Sequence, residues 1–136
     1  MPENIYSLLK TTQMVHLATI DGDEPRLRPM TLIVKDRRFY FATGSTDDKT
    51  RQITSNPAVE FCLLEKAEPF TGTLRCRGNM IRIEDVAAKK EVADHAPFIY
   101  EYWKEASDPD FVLYECKPYQ FRYMAPGDMK DNVIEV

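Results

Sequence analysis

The sequence has only two histidines, His16 and His95, and three cysteines, Cys62, Cys76 and Cys116, with no C-x-x-C pair among them. Neither a disulfide framework nor a thiolate or paired-histidine metal site is indicated, and the cysteines read as buried thiols. Excess positive charge is missing too. The formal net charge is −4, so bulk attraction to nucleic acid is not expected and any anion site must be local. No apolar run exceeds four residues, Phe61-Cys62-Leu63-Leu64 among them, and the amino end lacks the basic-then-apolar pattern of a secretory signal. A cytoplasmic protein without a membrane partner is expected. Internal repeats, low-complexity stretches and a Gly-x-Gly-x-x-Gly dinucleotide fingerprint are absent as well. What remains is an ordinary globular composition, 43% apolar and 29% charged, over 136 residues. That length suits one domain, residues 1–136, burying about two-thirds of its unfolded surface.

Along the chain the dominant pattern is alternation. Ile5, Leu8 and Leu9 stand at helical spacing behind Pro2, so residues 2–10 predict a short amphipathic helix capping a sheet. Residues 14–20, 26–34 and 38–43 then alternate with period two. Asp21-Gly22-Asp23 and Lys35-Asp36 supply turns, which makes a three-stranded meander. Residues 46–55 predict a helix stopped at Asn56-Pro57. Strands are expected over 58–64 and 72–83, with Gly78 marking a bulge. Helices follow over 85–94 and 97–104, then a last strand over 111–124 bent at Pro118, and a loose tail after Pro126. Helices inserted into an antiparallel strand order favour a closed or nearly closed barrel over a parallel sheet.

One segment carries chemical promise. Phe41-Ala42-Thr43-Gly44-Ser45 ends a strand in hydroxyl residues and runs through Thr46-Asp47-Asp48-Lys49 into a helix. Free backbone N–H groups at a helix start, the hydroxyls of Thr43 and Ser45 and the charge of Lys49 would suit a phosphate. Ser45-Thr46-Asp47-Asp48 equally fits a Ser-x-x-acid cap that needs no ligand, and local chemistry favours the cap. Arg26, Arg28 and Met30 share one strand face and could hold a flat, charged ligand, but arginines on an exposed edge strand containing Pro29 would look the same. Arg75 and Arg77 pair similarly and read as surface charge. Phe98, Tyr100, Tyr102 and Trp103 form an aromatic group suited to a planar ring, a core or an interface.

Taken in order, these segments resemble the pyridoxamine 5′-phosphate oxidase-like FMN-binding split barrels over most of the chain, from Ile5 to about Met124. The matching positions are Thr19, Ile20, Asp21, Gly22 and Pro25 ahead of Arg28-Pro29-Met30, then Phe39-Tyr40-Phe41-Ala42-Thr43, Lys49, Gln52-Ile53, Asn56-Pro57-Ala58-Val59 and Gly78. The resemblance implies a mainly β, six-stranded antiparallel split barrel with short helices, and a homodimer whose cofactor cleft lies at the subunit interface. It implies that Arg28 and Lys49 pair with the FMN phosphate, and that Thr43 hydrogen-bonds it, with Ser45 beside it. The backbone of Pro29, Met30 and Thr31 would face the isoalloxazine edge, and Gln52 is a further contact. Trp103 and the strand carrying Tyr119 and Tyr123 would approach from the partner chain.

Two departures from the family pattern shape the expected function. Tyr119-Gln120-Phe121-Arg122-Tyr123 stands in place of the basic block that vitamin B6 oxidases use for their substrate phosphate, which argues against pyridoxamine phosphate as substrate. Asp47 and Asp48 replace the family's serine and arginine before the phosphate lysine, which weakens phosphate binding. The expectation is an FMN-dependent oxidoreductase acting on an unidentified small molecule; the alternative is a non-catalytic flavin carrier or redox and stress sensor. A haem or deazaflavin protein on the same scaffold is a third reading, with His16 and His95 as the only imidazole ligands.

Overall fold

A computed structural model describes residues 3–136. Pro2, expected in the first helical turn, lies outside them. The described elements are α1 (Glu3–Tyr6), β1 (Thr12–Asp21), β2 (Glu24–Lys35), β3 (Arg38–Gly44), α2 (Asp48–Ser55), β4 (Ala58–Glu65), β5 (Gly72–Ile83), α3 (Val86–His95), a 3-10 turn (Pro97–Glu101), β6 (Phe111–Met124) and β7 (Asn132–Glu135). The strands run in the order β3-β2-β1-β4-β5-β6-β7, and pairing of β3 with β6 closes the first six into an antiparallel barrel.

Alternation explains the closure. Val15, Leu17, Leu32, Phe39, Phe41, Phe61, Leu74 and Phe121 are fully or almost fully buried inside the barrel, and Ile5 of α1 joins them. Phe39, Phe61 and Phe41 meet edge to face, with ring centroids 5.6 and 5.7 Å apart, an arrangement the aromatic quadrupole favours over a face-to-face sandwich. A second apolar layer forms outside. Ile33, Phe111 and Leu113 point outward there and are covered by Val92, Ala93 and Ile99 of α3 and the 3-10 turn. The first half of β6 is therefore buried on both faces, which accounts for the unbroken run Phe111-Val112-Leu113-Tyr114.

The expected bulge is present, and the register shows which residue is extra. Arg77 pairs with Gln120 but Gly78 pairs with Pro118, leaving Tyr119 without a partner on β5. This insertion reverses the facing of β6: Val112, Tyr114 and Cys116 face the barrel before it, and Phe121 after it. Glycine is required opposite, since a Cβ on Gly78 would lie 2.6 Å from the Lys117 carbonyl oxygen. Tight turns join the first three strands. Gly22 takes a φ of 65°, and Asp36 and Arg37 take 51° and 60°, the paired positive values of a type I′ hairpin. The Arg37 guanidinium lies 4.6 Å from the Tyr6 ring centroid.

Three expectations need correction. The helix expected over 2–10 ends at Tyr6, with the chain continuing through turns at Leu8 and Leu9. The helix expected over 97–104 is a 3-10 turn ending at Glu101, so Trp103 lies beyond it. The tail is not loose: β7 pairs with residues 120–123 of β6, and Asp131 bridges to Arg75 at 2.7 Å. The reason is topological, because β3 pairs with β6 only as far as Cys116, leaving the later half of β6 with an open edge for β7.

One gap in the barrel matters for function. β2 pairs with β1 from Glu24 to Ile33, yet joins β3 only through Ile33, Val34 and Lys35. The Val34 N–H donates to Thr11 on the β1 side, so even-numbered backbone groups of β2 face β1. The odd-numbered groups of Leu27, Pro29 and Thr31 face the other way, where β3 has diverged. Pro29, which has no N–H to donate, falls on that open side.

Candidate functional site

The gap opens beside the β3–α2 junction. Thr43, almost fully buried, lies opposite Val112 one residue before the end of β3 at Gly44. The N-cap position is Asp47, in extended backbone, but its side chain does not cap the helix. It turns back instead, and one oxygen, Oδ2, accepts from Thr43 Oγ1 at 2.8 Å, from the Gly44 N–H at 3.1 Å and from Lys49 Nζ at 3.0 Å. The Thr43 hydroxyl, followed by Lys49, holds the Asp47 carboxyl below the usual carboxylate range.

The Ser45 cap does not form. Ser45 donates from both Oγ, at 2.7 Å, and its backbone N–H, at 3.0 Å, to Asp110 Oδ1 in the approach to β6. The other oxygen of Asp110 accepts from the Trp103 indole N–H at 2.9 Å. These bonds, with Trp103 the largest influence, lower the Asp110 pKa. Asp110 thus ties the β3–α2 junction to the aromatic segment. The Trp103 ring stacks on Phe111, centroids 5.1 Å apart at 27°.

Arg28 projects from β2 toward α2. Its guanidinium donates to the Leu17 carbonyl at 3.2 Å, to Thr19 Oγ1 at 2.8 Å and to Gln52 Oε1 at 3.0 Å, while the Thr19 hydroxyl also donates to Gln52 Oε1 at 2.6 Å. Burial lowers the Arg28 pKa, opposed by the carboxylate of Asp48. A guanidinium stays charged through such a shift. Thr19 and Gln52 are buried, so this network fixes the cation at one end of the gap.

Two adjoining hollows result. One, about 390 Å³, has Thr31, Ala42 and Thr43 along one side and Phe98, Tyr102 and Trp103 along another. The second, about 520 Å³, is polar and includes Arg28, Arg26 and Gln52. Asp47 and Lys49 line both, making a continuous groove with an aromatic end and a polar, charged end. Among the sequence-expected residues, Thr31, Thr43, Lys49 and Trp103 meet at the first hollow, and Arg28, Lys49 and Gln52 at the second. Ser45 is held away by Asp110. Pro29 is exposed and Met30 packs against the barrel core, so neither side chain lines the groove. Trp103, expected from a partner chain, stands in the groove of its own chain. Asp110 escaped the sequence reading because 65 residues separate it from Ser45, and nothing local marks it.

Among the described residues no cluster of His, Cys, Asp or Glu could hold a metal ion, and no helix is long and apolar enough to cross a membrane. Cys76 and Cys116 are buried and free, and Cys62 is half-buried. The Cys76 thiol is pushed up by its contact with Cys116 and by burial, and the Cys62 thiol by burial.

The family signature of pyridoxamine 5′-phosphate oxidase matches residues 1–125, nearly the whole barrel. The chain belongs to this family. No curated protein matches the sequence. Solved structures share the fold closely. A NimC/NimA family protein from Clostridium acetobutylicum superposes with a TM-score of 0.78 at 18% identity, covering 98% of this chain and 91% of that one. General stress protein 26 from Bacillus anthracis gives 0.77 at 21% identity, covering 98% and 97%. A heme binding protein from Mycobacterium smegmatis gives 0.76 at 14% identity, covering 92% of this chain and 53% of that one. At these identities the likeness extends to the fold alone, so the family's scaffold is established here and its ligand is not.

Proposed function

We propose that the chain binds FMN in the groove between β2, β3 and α2, works as a homodimer, and serves as a flavin-dependent oxidoreductase on a small molecule other than pyridoxamine phosphate. The observation that carries this reading is the groove itself, aromatic at the Trp103 end and polar, with Arg28 and Lys49, at the other, in a chain of this family. Such a site needs concavity, an apolar wall and a few placed polar groups, and all three are present. Arg28 and Lys49 would hold the phosphate by charge-assisted hydrogen bonds, and the unpaired backbone of Thr31 would meet a polar ring edge. Trp103, braced by Phe111 and Asp110, would wall the aromatic end. Bound FMN would supply reversible electron transfer. The side chains around it bind, orient and exclude water.

Support for the dimer comes from the groove's rim, where Leu27 and Tyr102 are 68% and 72% exposed. Large apolar residues left in water beside a ligand site suit coverage by a second chain. The exclusion of pyridoxamine phosphate rests on the last strand. Phe121 is buried in the barrel, and Arg122 donates to Gln120 and lies 3.8 Å from Asp131, so no free basic block stands there. A haem reading finds no histidine at the groove, because His16 is exposed on β1 and His95 Nε2 lies 3.0 Å from the Val34 carbonyl.

An absorbance spectrum before and after adding FMN, run beside the size-exclusion mass, tests the proposal. Flavin bands on a dimer are expected. A colourless protein that ignores added FMN refutes it, and a Soret band after adding haem would transfer the groove to haem. Steady turnover with a nicotinamide donor and an artificial acceptor separates an enzyme from a flavin carrier with the same groove.

A further inference from the structure

The polar end of the groove already contains an anion beside Lys49. Three donors, the Thr43 hydroxyl, the Gly44 N–H and the Lys49 ammonium, converge on the single oxygen Oδ2 of Asp47. Convergence of a hydroxyl, a backbone amide and a cation is what a phosphate oxygen would otherwise receive. The charges lining the polar hollow are also balanced: Arg26, Arg28 and Lys49 stand against Asp21, Asp47 and Asp48. A phosphate monoester arriving there meets no net positive charge; it must displace Asp47 before it can accept from Thr43 or the Gly44 N–H, and the charge of Lys49 is already opposed by Asp47. The Asp47 side chain is 47% exposed, so it has water to turn into. Even then its charge would stay close to the incoming anion. The aromatic hollow shares Asp47 and Lys49, but its wall of Phe98, Tyr102 and Trp103 takes no part in this competition.

We infer that Asp47 is a resident anion occupying the phosphate cradle, and that it sets the chain's preference among planar ligands by disfavouring those that carry a phosphate. The inference rests on the flavin reading above for its choice of ligand, and on the Asp47 contacts for its mechanism. A direct consequence is that FMN and riboflavin bind with similar affinity, unlike in a cradle whose donors are free.

The test compares FMN and riboflavin by flavin-fluorescence titration against the wild type, Asp47→Ser and Asp47→Asn. Serine is a favoured N-cap, so the start of α2 is retained, and asparagine keeps the shape should the serine variant fail to fold. FMN should tighten by about tenfold or more, the worth of roughly one charge-assisted hydrogen bond. Riboflavin affinity should not change, and adding Lys49→Ala should abolish the gain. FMN affinity unchanged by both substitutions, or an equal gain for riboflavin, overturns the inference. If no protein binds either flavin, the flavin reading fails and inorganic phosphate decides the role of Asp47. A rise in melting temperature with phosphate in Asp47→Ser but not in the wild type supports it, and an equal response in both overturns it.

Discussion

A methyl group placed on Gly78 would put a carbon 2.6 Å from the Lys117 carbonyl oxygen, 2.7 Å from Cys116 Sγ and 3.1 Å from the Lys117 carbonyl carbon. Ordinary contact begins near 3.4 Å, so the neighbours would have to move by most of an ångström. Two of the three atoms are backbone, held in a ladder at the one place where the β5–β6 register shifts. Overpacking of this kind costs about 1–3 kcal/mol, and the immobility of the backbone puts Gly78→Ala near the upper end, about 3 kcal/mol. With an unfolding entropy of about 2.1 cal/mol/K per residue, a chain of this length loses about 10 °C of melting temperature. Thermal melts by circular dichroism, with urea titration alongside, measure this. Two controls isolate the cause. Gly22→Ala meets no atom within 4 Å and suffers only from its φ of 65°, a penalty of about 1 kcal/mol. Cys116→Ala added to Gly78→Ala should recover little, because the carbonyl contact remains. A Gly78→Ala protein that melts within a degree or so of the wild type would refute the reasoning, as would full rescue by Cys116→Ala.

The remaining expectations concern single groups. Tyr114 buries its hydroxyl without a hydrogen-bond partner among the described residues, so Tyr114→Phe should raise stability by about 1 kcal/mol, a gain of roughly 3 °C in the same melts. In the Asp47→Ser background, Lys49→Ala should weaken FMN by about 1.5–3 kcal/mol, roughly tenfold to a hundredfold in the fluorescence titration. Asp47 has a folded-state pKa below its usual 3.8, first through Thr43 and then Lys49. Its stabilisation is therefore fully present above that value and is lost as the pH falls through the lower folded one. The melting-temperature gap between the wild type and Asp47→Asn should be widest near neutrality and close in acid; a gap that persists unchanged at the lowest pH would contradict this.

Much of the barrel was legible in the chain because alternation is a local property. The strand expected over 72–83 coincides with β5 and that over 111–124 with β6. Apolar residues two apart must share a face, and Gly22 and Gly78 mark a turn and a bulge by their own steric freedom. Arg28 and Lys49, to which the family resemblance rather than local chemistry points, both line the polar hollow.

Other features depend on distances that no local pattern encodes. Ser45 has the residue type of a helix cap, but the N-cap position falls two residues later at Asp47, and Ser45 instead donates its hydroxyl and N–H to Asp110. Asp47 stood in the sequence as a charge opposed to phosphate. Only the folded junction brings its oxygen onto Thr43, Gly44 and Lys49 together. The tail became β7 because the closure of β3 on β6 stops at Cys116 and leaves an open edge beyond it. The sequence by itself determined the strands, their inward faces and the charges available for a ligand. Tertiary structure alone decided which of those charges remain unpaired, since that depends on which groups the barrel's closure brings within hydrogen-bonding distance.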